Sequence, residues 1–147
     1  MEKNGNQERF SCRGLFALLA LALCCHCGVL LAQSQPRVIE ILADHDSRYK
    51  MNGLKQPMIT AKAGEEILLR ITAKKAQTHN RDGSIHGFSL LRAKDRKPVP
   101  GWDLLLKPGT QEFTLNAPSD AGDYLVICTV ICSPDHEQMN MKFVVEP

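Results

Sequence analysis

Aromatic residues are scarce in this chain, with five Phe, two Tyr and one Trp among 147 residues, and cysteine is nearly confined to its beginning. Four of the six cysteines (Cys12, Cys24, Cys25 and Cys27) lie in the first 32 residues, so the remainder keeps only Cys128 and Cys132. A charge excess of either sign is also missing. Setting aside the three basic and two acidic residues of 1–32 leaves fifteen Lys and Arg against fourteen Asp and Glu. A domain so nearly balanced carries no electrostatic footprint for nucleic acid. Internal repeats, low-complexity segments and, beyond residue 32, sustained helical periodicity are absent as well. The length suits one ordinary domain with a hydrophobic core and is too short for two plus a linker.

The one long apolar run, residues 14–32, follows Lys3, Arg9 and Arg13, the charged-then-apolar order of an export signal. Ala32 is small enough for cleavage after it, but Leu30 is larger than a small-x-small cleavage pattern wants, so an uncleaved membrane anchor is the other reading. The run is about long enough for either, since a span takes roughly 17–25 mainly apolar residues. No Arg-Arg pair precedes it, which argues against twin-arginine export and for any cofactor being acquired outside. The chain therefore divides into an export or anchor segment, 1–32, and an exported domain, 33–147, expected in the periplasm or on the outer face of the cytoplasmic membrane. The Cys24-Cys25-His26-Cys27 cluster sits within the apolar half of the first segment and reads as hydrophobic filler.

In residues 33–147 short apolar runs recur between Gly, Pro, Asn and Asp, the pattern of an all-β sandwich. Strands are expected at 38–42, 67–72, 85–91, 112–115, 124–127 and 141–145. Residues 74–84 form a polar loop, and Pro98, Pro100 and Pro108 break up the stretch that follows. The basic residues Arg92, Lys94, Arg96 and Lys97 beside those prolines read as a solvated loop. Between the last two strands lies 128–140, a loop dense in metal-ligand side chains.

That loop places two thiols, an imidazole and a thioether within twelve residues: Cys128, Cys132, His136 and Met139. Thiolate and thioether together select copper, whereas zinc sites rarely recruit Met. A loop can bend so that unevenly spaced ligands converge, and a ligand from a neighbouring strand ties such a site to the scaffold; His86 is the candidate. His45 and His79 match no such role. Two cysteines in an oxidising compartment also fit a disulfide, a pairing that would leave His136 and Met139 unexplained.

The spacing C-x-x-x-C-x-x-x-H-x-x-M, with Ile85-His86-Gly87-Phe88 upstream, resembles the CuA domain of cytochrome c oxidase subunit II and of nitrous-oxide reductase. The likeness spans nearly all of 36–147, and the segment 121–128 is similar to the approach to the ligand loop in cupredoxins generally. The resemblance implies a cupredoxin-like Greek-key β-sandwich and a dinuclear copper centre that transfers electrons. Cys128 and Cys132 would bridge two copper ions, His86 and His136 would each bind one, and Met139 and the backbone carbonyl of Val130 would be the weak axial ligands. The family commonly has Glu where this chain has Val130, which a carbonyl ligand tolerates. Phe88, Ile127 and Ile131 would limit solvent around the centre.

A redox partner is implied too, such as a c-type cytochrome or a terminal oxidase or reductase. Trp102 alone could stand in for the aromatic cluster at which a cytochrome docks in the oxidase members, a core position being its other reading. Asp135 and Glu137 could meet a basic partner. A single apolar segment in place of a two-helix hairpin fits a free-standing carrier better than an oxidase subunit. Protein ligands fill every metal position, so the chain is not expected to be an enzyme by itself. Two further readings remain open: a mononuclear blue-copper carrier using His86, one cysteine, His136 and Met139, and a protein that stores or delivers Cu(I).

Overall fold

The computed structural model describes residues 35–54 and 57–147. The apolar segment and its cysteine cluster lie outside the described residues, as does the boundary after residue 32. The chain from 35 onward is a single compact unit. Among the described residues no helix is long and apolar enough to cross a membrane.

Among the described residues, nine strands form two sheets. They are β1 (Arg37–Ala43), β2 (Tyr49–Lys50), β3 (Met58–Lys62), β4 (Glu66–Ala73), β5 (His86–Arg92), β6 (Pro98–Leu106), β7 (Gly109–Asn116), β8 (Gly122–Ile127) and β9 (Asn140–Glu146). One sheet has the order β2-β1-β4-β7 and the other β3-β9-β8-β5-β6. The chain crosses repeatedly between them, giving the all-β sandwich that the sequence pattern predicts, with the Greek-key arrangement that the family resemblance implies. Alternation decides which face each strand buries. In β4, Ile67, Leu69, Ile71 and Ala73 point inward while Leu68, Arg70 and Thr72 point out. Burying each large side chain contributes about 1.5–3 kcal/mol, so the interleaved inner faces hold the sheets together.

Among the described residues, the aromatics Tyr49, Phe88, Trp102, Tyr124 and Phe143 are buried in this core. Trp102 meets Phe143 edge-on at 5.2 Å, and Tyr49 meets Phe88 in the same way at 5.4 Å. Trp102 is 3% exposed and its indole N–H donates to the Asn116 carbonyl at 3.1 Å, so it is a core residue and offers no docking surface. The outer face of the four-stranded sheet is polar, with Arg70 bridging Glu40 at 2.9 Å and Glu112 at 2.7 Å across three strands.

Three strands, β2, β3 and β6, lie outside the ranges expected from the sequence, and β6 runs most directly against expectation. Residues 98–106 form a strand despite Pro98 and Pro100. The reason is position: β6 lies at the edge of its sheet, where proline forfeits no ladder bond, and a register shift between Ser89 and Leu91 absorbs the irregularity.

The topology also gathers one end of the sandwich. β5 starts at His86, its antiparallel neighbour β8 stops at Ile127, and β9, antiparallel to β8, starts at Asn140. The start of β5, the exit of β8 and the entry to β9 are therefore adjacent. β1 and β4 run parallel and both finish at this end, so the connections 44–48 and 74–84 arrive there too.

Candidate metal centre

His86 opens β5, Cys128 directly follows β8, and Met139 directly precedes β9, so rigid strands fix both ends of the ligand loop and the remote histidine. The ligand atoms of His86, Cys128 and Cys132 all lie within 4.8 Å of one another, and all three residues are buried. The two sulfurs are 3.8 Å apart, unbonded, and both cysteines are free. Met139, fully buried, places its sulfur 4.0 Å from Cys132 Sγ. The Val130 carbonyl oxygen lies 3.2 Å from Cys128 Sγ, turned toward the same space. Five of the six expected ligands therefore converge.

His136 stands apart from this set. It begins a short 3₁₀ turn, His136–Gln138, is only partly buried, and directs Nδ1 to the Ser133 carbonyl at 3.2 Å. Ile131 departs from expectation as well. At 69% exposure it projects into solvent, because alternation along the loop turns Val130 and Cys132 inward. Phe88 is fully buried beneath the site, as a solvent-excluding residue should be.

The fit to a soft metal rests on one atom above all. His86 Nε2 is 3.1 Å from the Lys74 carbonyl, which can only accept, so Nε2 carries the proton and Nδ1 keeps a lone pair. That Nδ1 is buried and has no hydrogen-bond partner. An unpaired buried nitrogen costs about 1–3 kcal/mol, a cost that a bound cation removes. The donors around it are two thiols and a thioether, the chemistry that favours copper.

The sulfurs are set in a polar frame. The Gly87 amide donates to Cys128 Sγ at 3.3 Å, and the Tyr49 hydroxyl donates to the Gly87 carbonyl. A second chain of hydrogen bonds reaches Cys132. The Asp135 amide donates to Ser133 Oγ at 3.1 Å, Ser133 Oγ lies 2.6 Å from Ser47 Oγ, and Ser47 Oγ lies 3.8 Å from Cys132 Sγ. Passing each proton inward along this chain leaves the Ser47 hydroxyl donating to sulfur.

These contacts separate the two thiols. The hydrogen bond between the sulfurs, followed by burial, pushes Cys128 well above the ordinary thiol range. The same hydrogen bond holds Cys132 well below it, against burial and with help from the nearby His86 ring and then Ser47. Burial first, and then the two nearby sulfurs, raise Tyr49.

Sequence reasoning missed Ser47, Tyr49, the Gly87 amide and the Lys74 carbonyl. Ser47 had one signal, a short polar run ending in Ser and Arg, but nothing that placed it at the metal end. It adopts a left-handed backbone at φ 56°, a conformation that non-glycine residues hold mainly where surrounding contacts enforce it. Those contacts come from Asp44, whose carbonyl accepts the Ser47 amide at 3.1 Å and whose buried carboxylate meets Lys50 at 2.5 Å and His45 at 2.7 Å. Neither His45 nor His79 reaches the centre, as expected.

No protein-family model matches the chain, and no curated protein is similar to it. Solved structures are. Auracyanin B is 20% identical with a TM-score of 0.51, covering 78% of this chain and 92% of its own. Auracyanin A, a "blue" copper protein from the green thermophilic photosynthetic bacterium Chloroflexus aurantiacus, is 23% identical with a TM-score of 0.51, covering 76% of this chain and 100% of its own. At such identities the likeness is one of architecture, and with the strand order above it establishes that residues 35–147 have the cupredoxin fold.

Proposed function

We propose that this chain is a copper-binding electron-transfer protein whose centre is dinuclear, held by Cys128, Cys132, His86, His136, Met139 and the Val130 carbonyl. The observation that carries the reading is the pair of free, buried sulfurs 3.8 Å apart, facing one space that the unpaired His86 Nδ1 shares. A mononuclear site would use one sulfur and leave the other buried and idle; a disulfide would leave the nitrogen without a partner.

Bound copper supplies a reversible one-electron couple. The residues do the rest: two thiolates share the change in charge, His86 and Met139 are held by β5 and β9, and Phe88 excludes water from below. Ligands fixed by strands move little between oxidation states, which favours fast transfer. With protein donors in every position there is no open place for a substrate, so the chain is a carrier rather than an enzyme. His136 completes the set by turning its ring from the Ser133 carbonyl toward the sulfurs. The exposed Ile131, between the two cysteines, offers a contact for a redox partner such as a c-type cytochrome or a terminal oxidase or reductase. The charged-then-apolar order of the amino-terminal sequence supports a place for this carrier in the periplasm or on the outer face of the cytoplasmic membrane.

A second reading, a mononuclear blue-copper carrier using His86, one cysteine, His136 and Met139, draws support from the likeness of the fold to auracyanin A, a "blue" copper protein. Copper content and electron paramagnetic resonance of the copper-loaded protein decide between them. Two coppers per chain with one unpaired electron shared between them support the dinuclear centre. One copper with a mononuclear spectrum replaces it, and a chain that binds only Cu(I) is a delivery or storage protein.

A further inference from the structure

The polar connection between β4 and β5 is more than a covering loop. Its far half is knotted on itself: the Asn80 amide donates to the Ser84 carbonyl at 2.8 Å, the Gly83 amide to the Asn80 carbonyl at 3.0 Å, and the Asp82 carboxylate accepts from the Ser84 amide and hydroxyl at 3.0 and 2.7 Å. Ser84 is fully buried. This knot leads straight into Ile85, whose amide is bonded to the Leu106 carbonyl at 2.8 Å.

The near half, residues 74–78, has no such internal bonds and spends its polar groups on the metal end. The Lys74 carbonyl accepts from His86 Nε2 at 3.1 Å. The Gln77 and Thr78 amides both donate to the Cys132 carbonyl, at 3.0 and 3.2 Å. The Thr78 hydroxyl donates to the Ile131 carbonyl. One five-residue segment thus holds the remote histidine at one end and the second cysteine at the other, although these ligands are far apart in sequence.

We infer that residues 74–78 act as a strap that sets the distance between His86 and Cys132, with Thr78 its positioning residue. The inference rests on the reading of these residues as copper ligands. Thr78 is exposed and contributes nothing to the core, so its side chain is free for this task. Its hydroxyl fixes the Ile131 carbonyl, and with it the peptide that carries Cys132, while its amide fixes the Cys132 carbonyl on the other side of the residue. Ile131 has no other anchor, since its own side chain projects into solvent. Freed of the hydroxyl, the peptide can rotate and take the Cys132 sulfur with it.

The test compares wild type with Thr78→Val and Thr78→Ser. Copper loss to a chelator, the electron paramagnetic resonance signature of the loaded protein, and hydrogen exchange at the Gln77 and Thr78 amides of the metal-free protein are read for each. In Thr78→Val copper leaves about three- to tenfold faster, the range that one net hydrogen bond allows. Its copper hyperfine splitting changes and its strap amides exchange faster, while the unfolding midpoint of the metal-free protein stays put. Thr78→Ser, which keeps the hydroxyl, restores all three. Equal copper loss, spectrum and exchange in wild type and Thr78→Val overturn the strap. A wild type that takes up no copper overturns the metal reading instead, and in that case unprotected Gln77 and Thr78 amides overturn the strap as well, whereas protected ones that Thr78→Val exposes uphold it.

Discussion

Replacing Gly87 by Ala adds one methyl group at the tightest place beside the sulfurs. A Cβ on residue 87 would lie 2.3 Å from Thr129 Oγ1, 2.6 Å from Thr129 N and 3.3 Å from Thr129 Cα. The hydroxyl alone could not relieve this by rotating, because it is 3.2 Å from Ser89 Oγ and the nearest backbone atom is as much in the way. Carbon contacts settle at about 3.5 Å, so the Thr129 backbone must retreat by about 1 Å. Thr129 is bonded directly to Cys128, and the Gly87 amide that donates to Cys128 Sγ at 3.3 Å moves off in the opposite sense. Overpacking of this kind costs about 2 kcal/mol. In a domain of this size that lowers the thermal midpoint of the metal-free protein by roughly 6–10 °C. If copper holds the loop in place so that the loaded protein bears about 2 kcal/mol of strain beyond that of the metal-free one, copper binding weakens by about 30-fold. Thermal unfolding followed by circular dichroism reads the first effect, and competition with a chelator of known affinity reads the second. Adding Thr129→Gly removes the Oγ1 contact and leaves the backbone one, so it recovers part of the loss. A Gly87→Ala protein whose midpoint stays within about 1 °C of wild type, with unchanged copper affinity, refutes the account of this contact.

Other expectations are as direct. Cys128→Ser and Cys132→Ser each abolish a two-copper stoichiometry, measured by metal analysis, and a variant that still holds two coppers with a shared electron contradicts bridging by both sulfurs. Ser47→Ala removes the hydroxyl at Cys132 Sγ, leaves more electron density on the sulfur, and lowers the reduction potential by about 20–60 mV, the equivalent of one net hydrogen bond for a one-electron couple; voltammetry showing a rise or no change reverses the assigned proton direction. Asp44 supplies a pH dependence. Burial pushes its carboxyl up, but hydrogen bonds from Lys50 and His45 outweigh this and hold it well below the usual carboxylate range. A depressed carboxyl stabilises the fold fully above its unfolded value, near 3.8, and the contribution is lost as pH falls below that value toward the folded one. Denaturant titrations of the metal-free protein should therefore show a steeper acid loss in wild type than in Asp44→Asn, and parallel curves dismiss the ion pair as a contributor.

Much of the fold was legible because alternation and turn residues act locally. The runs around Ile67, Tyr124 and Met141 became β4, β8 and β9 with a residue or two added at the ends. β6 was not legible, since a proline's cost depends on whether the strand has a neighbour on that side, which only the assembled sheet decides. The ligand loop could be read because its chemistry is compressed into twelve residues. Ser47 and Thr78 could not, since a hydroxyl means nothing until topology brings its loop to the same end of the sandwich. The orientation of His136 and the exposure of Ile131 depended likewise on how the loop packs, and residue types do not determine that.

The parallel pairing of β3 with β9 sets an order in time. Met58 lies beside Lys142, so that sheet closes only when two distant parts of the chain have found each other. Such non-local contacts form late, after the loop entropy has been met. Met139 gains its fixed position from β9, Cys128 from β8 and His86 from β5, so the centre is complete only once all three strands have joined that sheet. Until then two thiols and a thioether sit on a loose segment, able to bind the wrong metal or to be oxidised. The interval between emergence of the chain and closure of this sheet is thus its most vulnerable period, and whatever shortens that interval protects the site before it exists.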